Sequence, residues 1–185
     1  MKIGRITGYL LIAAVMAGYV FVAGCGTIRI GNASFGYDLK GAQIDPKCKT
    51  AFVDYFKNQA ENVQPSLALK LTDKLKDKLL SQTHLKLTNN TGDVNFIGVV
   101  EKYQTEPIAP QSGAQITAAM VRLTITINVK YTNAIDPKWE YETSFSRFLD
   151  YPATQNLNAV ENSSDYDTVL DQLIQDIFDK AFVNW

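Results

Sequence analysis

A cysteine at the end of an apolar run is the first residue of this sequence whose position suggests a chemical reaction. Cys25 follows Ala23 and Gly24, whose small side chains leave the backbone accessible to a peptidase. Its thiolate is a nucleophile that can take up a diacylglyceryl group, and cleavage before Cys25 frees an amine for a further acyl chain. Each buried methylene contributes about 0.8 kcal/mol to membrane binding, so several chains anchor a protein where one does not.

The residues before this cysteine have the organisation of a targeting segment. Lys2 and Arg5 supply positive charge, and the apolar run that follows them contains no charged residue. The stretch Val22-Ala23-Gly24-Cys25 resembles the lipobox of bacterial lipoproteins, so residues 1–24 are predicted to be a lipoprotein signal peptide. The alternative is a signal peptide or signal anchor that contains a buried cysteine.

Cleavage would leave a single predicted domain, residues 25–185, with a short lipidated tether at its N-terminus. This mature chain has 185 − 24 = 161 residues, with 16 basic and 19 acidic groups and a net charge of −3. Gly26 follows the cysteine, instead of the Asp that resembles an inner-membrane retention signal, which favours the outer membrane. The chain has no excess of positive charge and no basic cluster, which argues against nucleic acid as a partner.

Residues suited to catalysis or metal binding are few. His84 is the only histidine, and no second His or Cys accompanies it at metal-ligand spacing, so no metal site is predicted. A serine hydrolase, the enzymatic alternative, would need His84 as its base. Cys48 lies between Lys47 and Lys49, which favour a low thiol pKa, but no partner base can be identified. The sequence therefore predicts no enzymatic activity and no cofactor.

The most regular pattern in the chain is a strand from Val121 to Thr132, in which apolar and polar residues alternate strictly. Such alternation gives a sheet one buried face and one polar face. Arg122, Thr124, Thr126 and Lys130 fall on the polar face and are the candidate residues for binding a ligand or partner. The two cations can meet phosphates of an anionic glycolipid or carboxylates of a partner. The alternative is the ordinary solubility of an exposed sheet face.

Two amphipathic helices are predicted to position this strand. In the first helix, leucines recur every four residues from Leu67 to Leu79, and Asn62 is the predicted N-cap. In the second helix, Ser164 or Asp165 is the predicted cap, and a broad apolar stripe continues to Phe182.

The remaining segments predict short strands joined by loops. Strands are predicted at Ala33–Tyr37, Thr50–Phe56, His84–Asn89, Asp93–Tyr103 and Trp139–Phe148, and loops at Glu106–Ala114 and Asp150–Ser164. Gly98, inside an apolar strand, predicts a bulge or a close approach. The order of elements predicts an α+β two-layer sandwich, with two amphipathic helices packed on one face of a mixed, largely antiparallel sheet. The other face has no candidate cover in the sequence, which predicts a polar partner.

Several segments, taken in order, are similar to a known family. The sequence resembles the LptE family of outer-membrane lipoproteins, in its Bacteroidota branch. The segments that carry the resemblance are "ALKLTDKLKDKLLSQTHLKLTN", "GDVNFIGVVEKYQTEPIA", "RLTITINVKYTN", "ETSFSRFLDYPATQNL" and "DIFDKAFVNW". The resemblance extends from the lipobox at Cys25 to Trp185.

This resemblance implies a non-enzymatic protein that plugs the LptD β-barrel, assists barrel assembly and helps to deliver lipopolysaccharide to the cell surface. It implies a fold of two helices on a sheet, which agrees with the predicted order of elements. The predicted polar sheet face suits a polar barrel lumen. The implied location is the outer membrane, with the domain facing the periplasm or lying within the barrel lumen.

One family feature is missing from this sequence. Enteric members have basic residues linked to lipopolysaccharide binding in two regions, which here read "PQSGAQ" and "DYPATQNLNA" and contain no Lys or Arg. Lipopolysaccharide is therefore a partner implied by the family, without residues assigned to it. The alternative function is a free-standing periplasmic lipoprotein that carries a small or lipid ligand in an internal pocket.

Overall fold

A computed structural model of the protein describes residues 44–62, 64–108 and 119–183. The predicted signal peptide, Cys25 and the strand predicted at Ala33–Tyr37 lie outside the described residues.

Six strands form one mixed sheet. They are β1 (Thr50–Val53), β2 (Lys57–Asn58), β3 (Lys86–Thr88), β4 (Val94–Ile108), β5 (Met120–Asn133) and β6 (Tyr141–Pro152). The order across the sheet is β3-β1-β4-β5-β6, and β2 pairs with β4. The pairings of β1 with β3 and β4, and of β2 with β4, are parallel, whereas β4, β5 and β6 form an antiparallel meander. The three longest strands therefore all belong to the antiparallel part.

Within the described residues, three helices pack against this sheet. They are α1 (Pro65–Gln82), α2 (Leu157–Glu161) and α3 (Ser164–Phe182), and a single 3-10 turn covers Pro137–Trp139. Helix α1 packs on β1, β2 and β3, helix α3 packs on β6, and the two helices contact each other. Within the described ranges, no helix has the length and apolar character needed to cross a bilayer. The predicted α+β class is confirmed, with the short helix α2 as an addition.

The core lies between the helices and one face of the sheet. Alternate residues of β5, from Leu123 to Val129, are fully buried, as the alternation predicted. The leucine row of α1, from Leu67 to Leu79, is buried in the same core. Complete burial of one such side chain stabilises the fold by about 1.5–3 kcal/mol relative to exposure. The pattern of buried residues thus fixes which face of the sheet the helices cover.

The two long helices begin one or two residues away from their predicted starts. Helix α1 begins at Pro65 with Gln64 as N-cap, so the Asn62 cap was wrong; proline suits the first helical position, where no intrahelical N–H bond is needed. Helix α3 is capped by Ser163, whose Oγ accepts a hydrogen bond from the Tyr166 N–H at 3.2 Å. The prediction of Ser164 or Asp165 as the cap was wrong by one or two residues.

The long strands extend further than their sequence patterns predicted. Strand β4 continues to Ile108 because it pairs with β5 through this residue, in a stretch predicted to be a loop. Strand β6 begins at Tyr141, since Asp136 caps the 3-10 turn in front of it, and it continues to Pro152 through its pairing with β5. The predicted loop after Asp150 also contains α2.

Candidate partner-binding face

The four sequence-predicted binding residues that the structure describes lie on one face of the sheet. Arg122, Thr124, Thr126 and Lys130 alternate along β5, and they point away from the helices. We call this surface the outer face. Its other members are Ile97, Val99, Glu101, Lys102, Gln104 and Glu106 on β4, Asn128 on β5, and Glu142, Ser144, Ser146, Phe148 and Asp150 on β6. None of these side chains is buried within the described parts of the chain.

The middle of the outer face is a network of short polar side chains. The Thr126 and Ser146 hydroxyls lie 3.0 Å apart, in hydrogen-bond contact across β5 and β6. The Asn128 amide donates to the Ser144 hydroxyl at 3.1 Å, and this hydroxyl donates to the Glu101 carboxylate at 3.0 Å. Cross-strand bonds of this kind hold side chains in one arrangement before any partner binds.

Arg122 forms an ion pair within the protein at one end of the outer face. Its Nε and Nη2 donate to the two carboxylate oxygens of Asp150, each at 2.7 Å. Its guanidinium also lies 3.9 Å from the ring centroid of Phe148. The hydrogen bond from Arg122 lowers the pKa of the Asp150 carboxyl, and the same bond raises the pKa of Arg122. Arg122 is therefore a charge-balanced residue, and its partner, 28 positions away, was not predicted from the sequence.

The charges of the outer face are mixed in sign. Lys130 is exposed and lies opposite Glu142 in the register of β5 and β6. Lys102 lies 3.8 Å from Glu106 along β4. With Arg122 and its partner included, three cations face four carboxylates on this surface. Such a surface has no positive excess with which to attract a polyanion.

Two exposed apolar side chains interrupt this polar surface. Phe148 is 55% exposed and Ile97 is 37% exposed. Sequence reasoning assigned Phe148 to a strand but gave it no role. The signal that could have found it is the alternation of β6, in which Ser144, Ser146 and Phe148 share one side.

A separate polar cavity of about 350 Å³ lies where the N-terminus of α1 meets α2 and β4. It is lined by Asn62, Gln64, Tyr103, Thr105, Leu157, Asn158 and Glu161. The nearly buried Glu161 carboxylate accepts hydrogen bonds from the Tyr103 hydroxyl, at 2.5 Å, and from the Gln64 amide. A free-standing ligand carrier, the alternative predicted from the sequence, would use a cavity of this kind.

Comparison with protein-family models gives a match over most of the chain. The LptE model, described as lipopolysaccharide-assembly, matches residues 48–181. This chain belongs to the LptE family. Its role is accordingly that of a lipopolysaccharide-assembly lipoprotein of the Gram-negative envelope, and the family is associated with LptD and with lipopolysaccharide transport. The resemblance found in the sequence is confirmed.

Solved structures of bacterial lipoproteins are similar to this chain at low sequence identity. A minor lipoprotein from Acinetobacter baumannii has 16% identity and a TM-score of 0.43, with 70% of this chain and 89% of that chain covered. Lipoprotein B from Nitrosomonas europaea has 14% identity and a TM-score of 0.43, with 71% and 80% covered. A search of curated proteins finds no match.

The two residues considered for catalysis, His84 and Cys48, make structural contacts in this LptE-family protein. The Nε2 of His84 donates a hydrogen bond to the backbone carbonyl of Cys48 at 2.9 Å. This ring nitrogen is therefore engaged in a structural bond to the main chain. The Cys48 side chain is buried, and its pKa is raised, first by burial and then by nearby carboxylates including Asp45 and Asp93. The expectation that flanking lysines would lower this pKa was wrong, because both lysines project outward from a buried thiol. The LptE family is non-enzymatic.

No group of three or more His, Cys, Asp or Glu residues suited to a metal ion occurs in the described ranges 44–62, 64–108 and 119–183.

Proposed function

We propose that this LptE-family protein is anchored to the outer membrane through a lipidated Cys25 and plugs the lumen of an LptD-type β-barrel. In this arrangement the outer face lies against the polar inner wall of the barrel. The protein assists assembly of the barrel and delivery of lipopolysaccharide through it.

The observation that supports this role most directly is the outer face itself. Its centre consists of hydroxyl and amide side chains, Thr126, Asn128, Ser144 and Ser146, already linked by hydrogen bonds. Barrel lumens in the outer membrane are lined with polar residues, so a surface of mixed charge and hydroxyl groups is a suitable match. The adjacent carboxylates and lysines offer complementary pairs to a wall of either sign.

Membrane anchoring is tested by changing the proposed site of lipidation. Mass spectrometry of the mature N-terminus is expected to find a protein that begins at Cys25 and carries acyl chains. Cys25→Ser is expected to prevent both processing and membrane attachment, while Cys48→Ser leaves both unchanged. A mature N-terminus at any other residue would refute the proposed anchor.

The plug role is tested by site-specific photo-crosslinking in intact outer membranes. A photoreactive residue at Thr124 or Thr126 is expected to crosslink to a large barrel protein. The matched control places the same residue at the exposed positions Asp73 or Asp77 of α1, on the helix side of the domain. Crosslinks of equal yield from both sides would contradict the assigned orientation, and the lack of a barrel in any crosslink would contradict the plug role.

A further inference from the structure

Phe148 is the most exposed apolar side chain on the outer face, and it lies beside Arg122, which forms a two-bond ion pair with Asp150. It is 55% exposed, whereas its neighbours across the strand are polar, with Thr124 directly opposite on β5. A large aromatic ring left in water on an otherwise polar face recovers hydrophobic free energy only when a partner covers it.

Arg122 is oriented above this ring by contacts within the protein. Two of its five N–H donors bind Asp150, and the Phe148 ring supports the guanidinium plane at 3.9 Å. The remaining three donors keep a fixed direction. A side chain that is already immobilised loses little conformational entropy when it binds a partner, which raises its contribution to affinity.

The charges around Arg122 indicate what these donors can bind. Asp150 neutralises the guanidinium, and Glu106 lies opposite Arg122 in the register of β4 and β5. A lipid phosphate at this position would meet two carboxylates and the two cations already paired with them, Arg122 and Lys102, so it would gain no net attraction and would face repulsion from both carboxylates. Neutral oxygen acceptors, such as backbone carbonyls, amides and hydroxyls, can accept from the guanidinium without that repulsion.

We infer that Phe148 and Arg122, braced by Asp150, are the anchor through which the outer face binds a protein wall, and that they are not a phosphate site for lipopolysaccharide. The partner surface supplies an apolar contact for the ring beside neutral oxygen acceptors for the guanidinium. Exposed aromatic and arginine side chains are the residue types in which binding energy concentrates at protein interfaces. This inference rests on the proposed function, because the wall is that of the barrel.

The test compares variants of the full-length lipoprotein by co-purification with the barrel from outer membranes. Phe148→Ala and Arg122→Ala are each expected to reduce recovery of the barrel by roughly tenfold or more. Arg122→Lys keeps the charge but loses the planar fork, and it is expected to be almost as defective. The matched control is Leu80→Ala, which removes an equally exposed apolar side chain from α1 and is expected to leave recovery unchanged.

A parallel measurement separates protein binding from lipid binding. Each variant is mixed with phospholipid vesicles that contain purified lipopolysaccharide, and the bound fraction is measured. The expected result is the same binding for wild type, Arg122→Ala and Phe148→Ala. Circular dichroism and the thermal midpoint of each purified variant establish that it is folded, and Phe148→Leu serves as a milder substitution if Phe148→Ala does not fold.

The results of the two measurements distinguish failure of the anchor from failure of the proposed function. If the wild-type protein recovers the barrel and the Phe148 and Arg122 variants recover it equally well, the anchor is refuted while the plug role stands. If Arg122→Ala loses vesicle binding but keeps the barrel, the site binds phosphate and the inference is overturned. If the wild-type protein recovers no barrel, the proposed function itself fails.

Discussion

The ring of Phe56 occupies the space that a side chain on Gly98 would need. A Cβ added to Gly98 would lie 2.2 Å from Cε1 of Phe56, far inside van der Waals contact. The Phe56 ring is fully buried, and the backbone N–H of Phe56 donates to the Thr72 hydroxyl on α1 at 3.1 Å. The segment after β1 is thereby fixed to the helix layer and to the sheet at once, and only glycine on β4 permits this close approach.

Gly98→Ala is therefore expected to lower the stability of the domain. Overpacking a buried site costs about 1–3 kcal/mol, which corresponds to a fall in thermal midpoint of roughly 3–10 °C for a domain of this size. Thermal unfolding followed by circular dichroism measures the change. Adding Phe56→Leu removes the ring, so the double variant is expected to be more stable than the sum of the two single changes predicts. Strict additivity would show that the two residues do not clash.

This close approach illustrates what local sequence can predict. A glycine within the apolar run of β4 signalled either a bulge or a close neighbour, and the neighbour is present at Gly98. The bulge lies elsewhere, between Val100 and Lys102. The period of two in β5 and the four-residue leucine repeat of α1 were likewise sufficient to assign buried faces, because each follows from the geometry of a single element.

Features that depend on pairing between distant elements were beyond the sequence. The Arg122–Asp150 pair requires the register of β5 against β6, and Asp150 lies in a stretch that the sequence predicts to be a loop. The reversed shift of the Cys48 pKa has the same origin, because its burial depends on residues such as Asn133, far along the chain. The outer face itself was predictable, but the cluster around Phe148 was not.

Tyr103→Phe tests the importance of the hydrogen bond to Glu161. The Tyr103 hydroxyl donates to this nearly buried carboxylate at 2.5 Å. Removal of a donor to a buried charged acceptor costs about 1.5–3 kcal/mol, so the variant is expected to unfold at lower denaturant concentration. Tyr55→Phe, at a residue that is 52% exposed, is the matched control and is expected to be neutral. Equal stability of the two variants would mean that water replaces the lost hydroxyl.

Tyr166→Phe, unlike Tyr103→Phe, is expected not to lower the stability of the domain. The Tyr166 hydroxyl is buried without a hydrogen bond to any described residue, although the Tyr103 hydroxyl lies near it. Deleting an unpaired buried hydroxyl is expected to leave the free energy of unfolding at pH 8 unchanged or to raise it by up to about 1 kcal/mol. Urea denaturation measures this difference, and a large loss would reveal a hydrogen bond that the hydroxyl makes in solution.

The same substitution has a consequence at alkaline pH. Burial raises the pKa of Tyr166 to about 12, whereas an unfolded tyrosine ionises near pH 10. The stability that this group contributes is complete below pH 10 and is lost as the pH rises towards 12, because the unfolded state releases its proton first. Tyr166→Phe is therefore expected to reduce the steepness of that loss by on the order of 1 kcal/mol per pH unit. Denaturation curves at several values from pH 8 to 11.5 provide the measurement. If the slope of unfolding free energy against pH is the same in the variant and the wild type, Tyr166 does not cause the alkaline loss of stability.

Asp93 joins the start of β1 to the residue that leads into β4, and its carboxyl is expected to contribute to the acid side of the stability profile. Its carboxylate accepts hydrogen bonds from the backbone N–H groups of Lys49 and Thr50, at 2.8 and 2.9 Å, and from the Thr50 hydroxyl at 2.8 Å. These bonds, that from the Lys49 N–H first, lower the pKa of Asp93 in the folded state. A depressed carboxyl pKa gives stability that is present above the unfolded value, near 4, and that disappears as the pH falls through the folded value.

Asp93→Asn is thus expected to destabilise the domain at pH 7 and to flatten the decline in thermal midpoint between pH 4 and 2. Asp77→Asn, which alters an exposed carboxylate of α1, is the control; if it flattens the acid profile as much as Asp93→Asn does, the effect arises from overall charge and not from the bonds to β1.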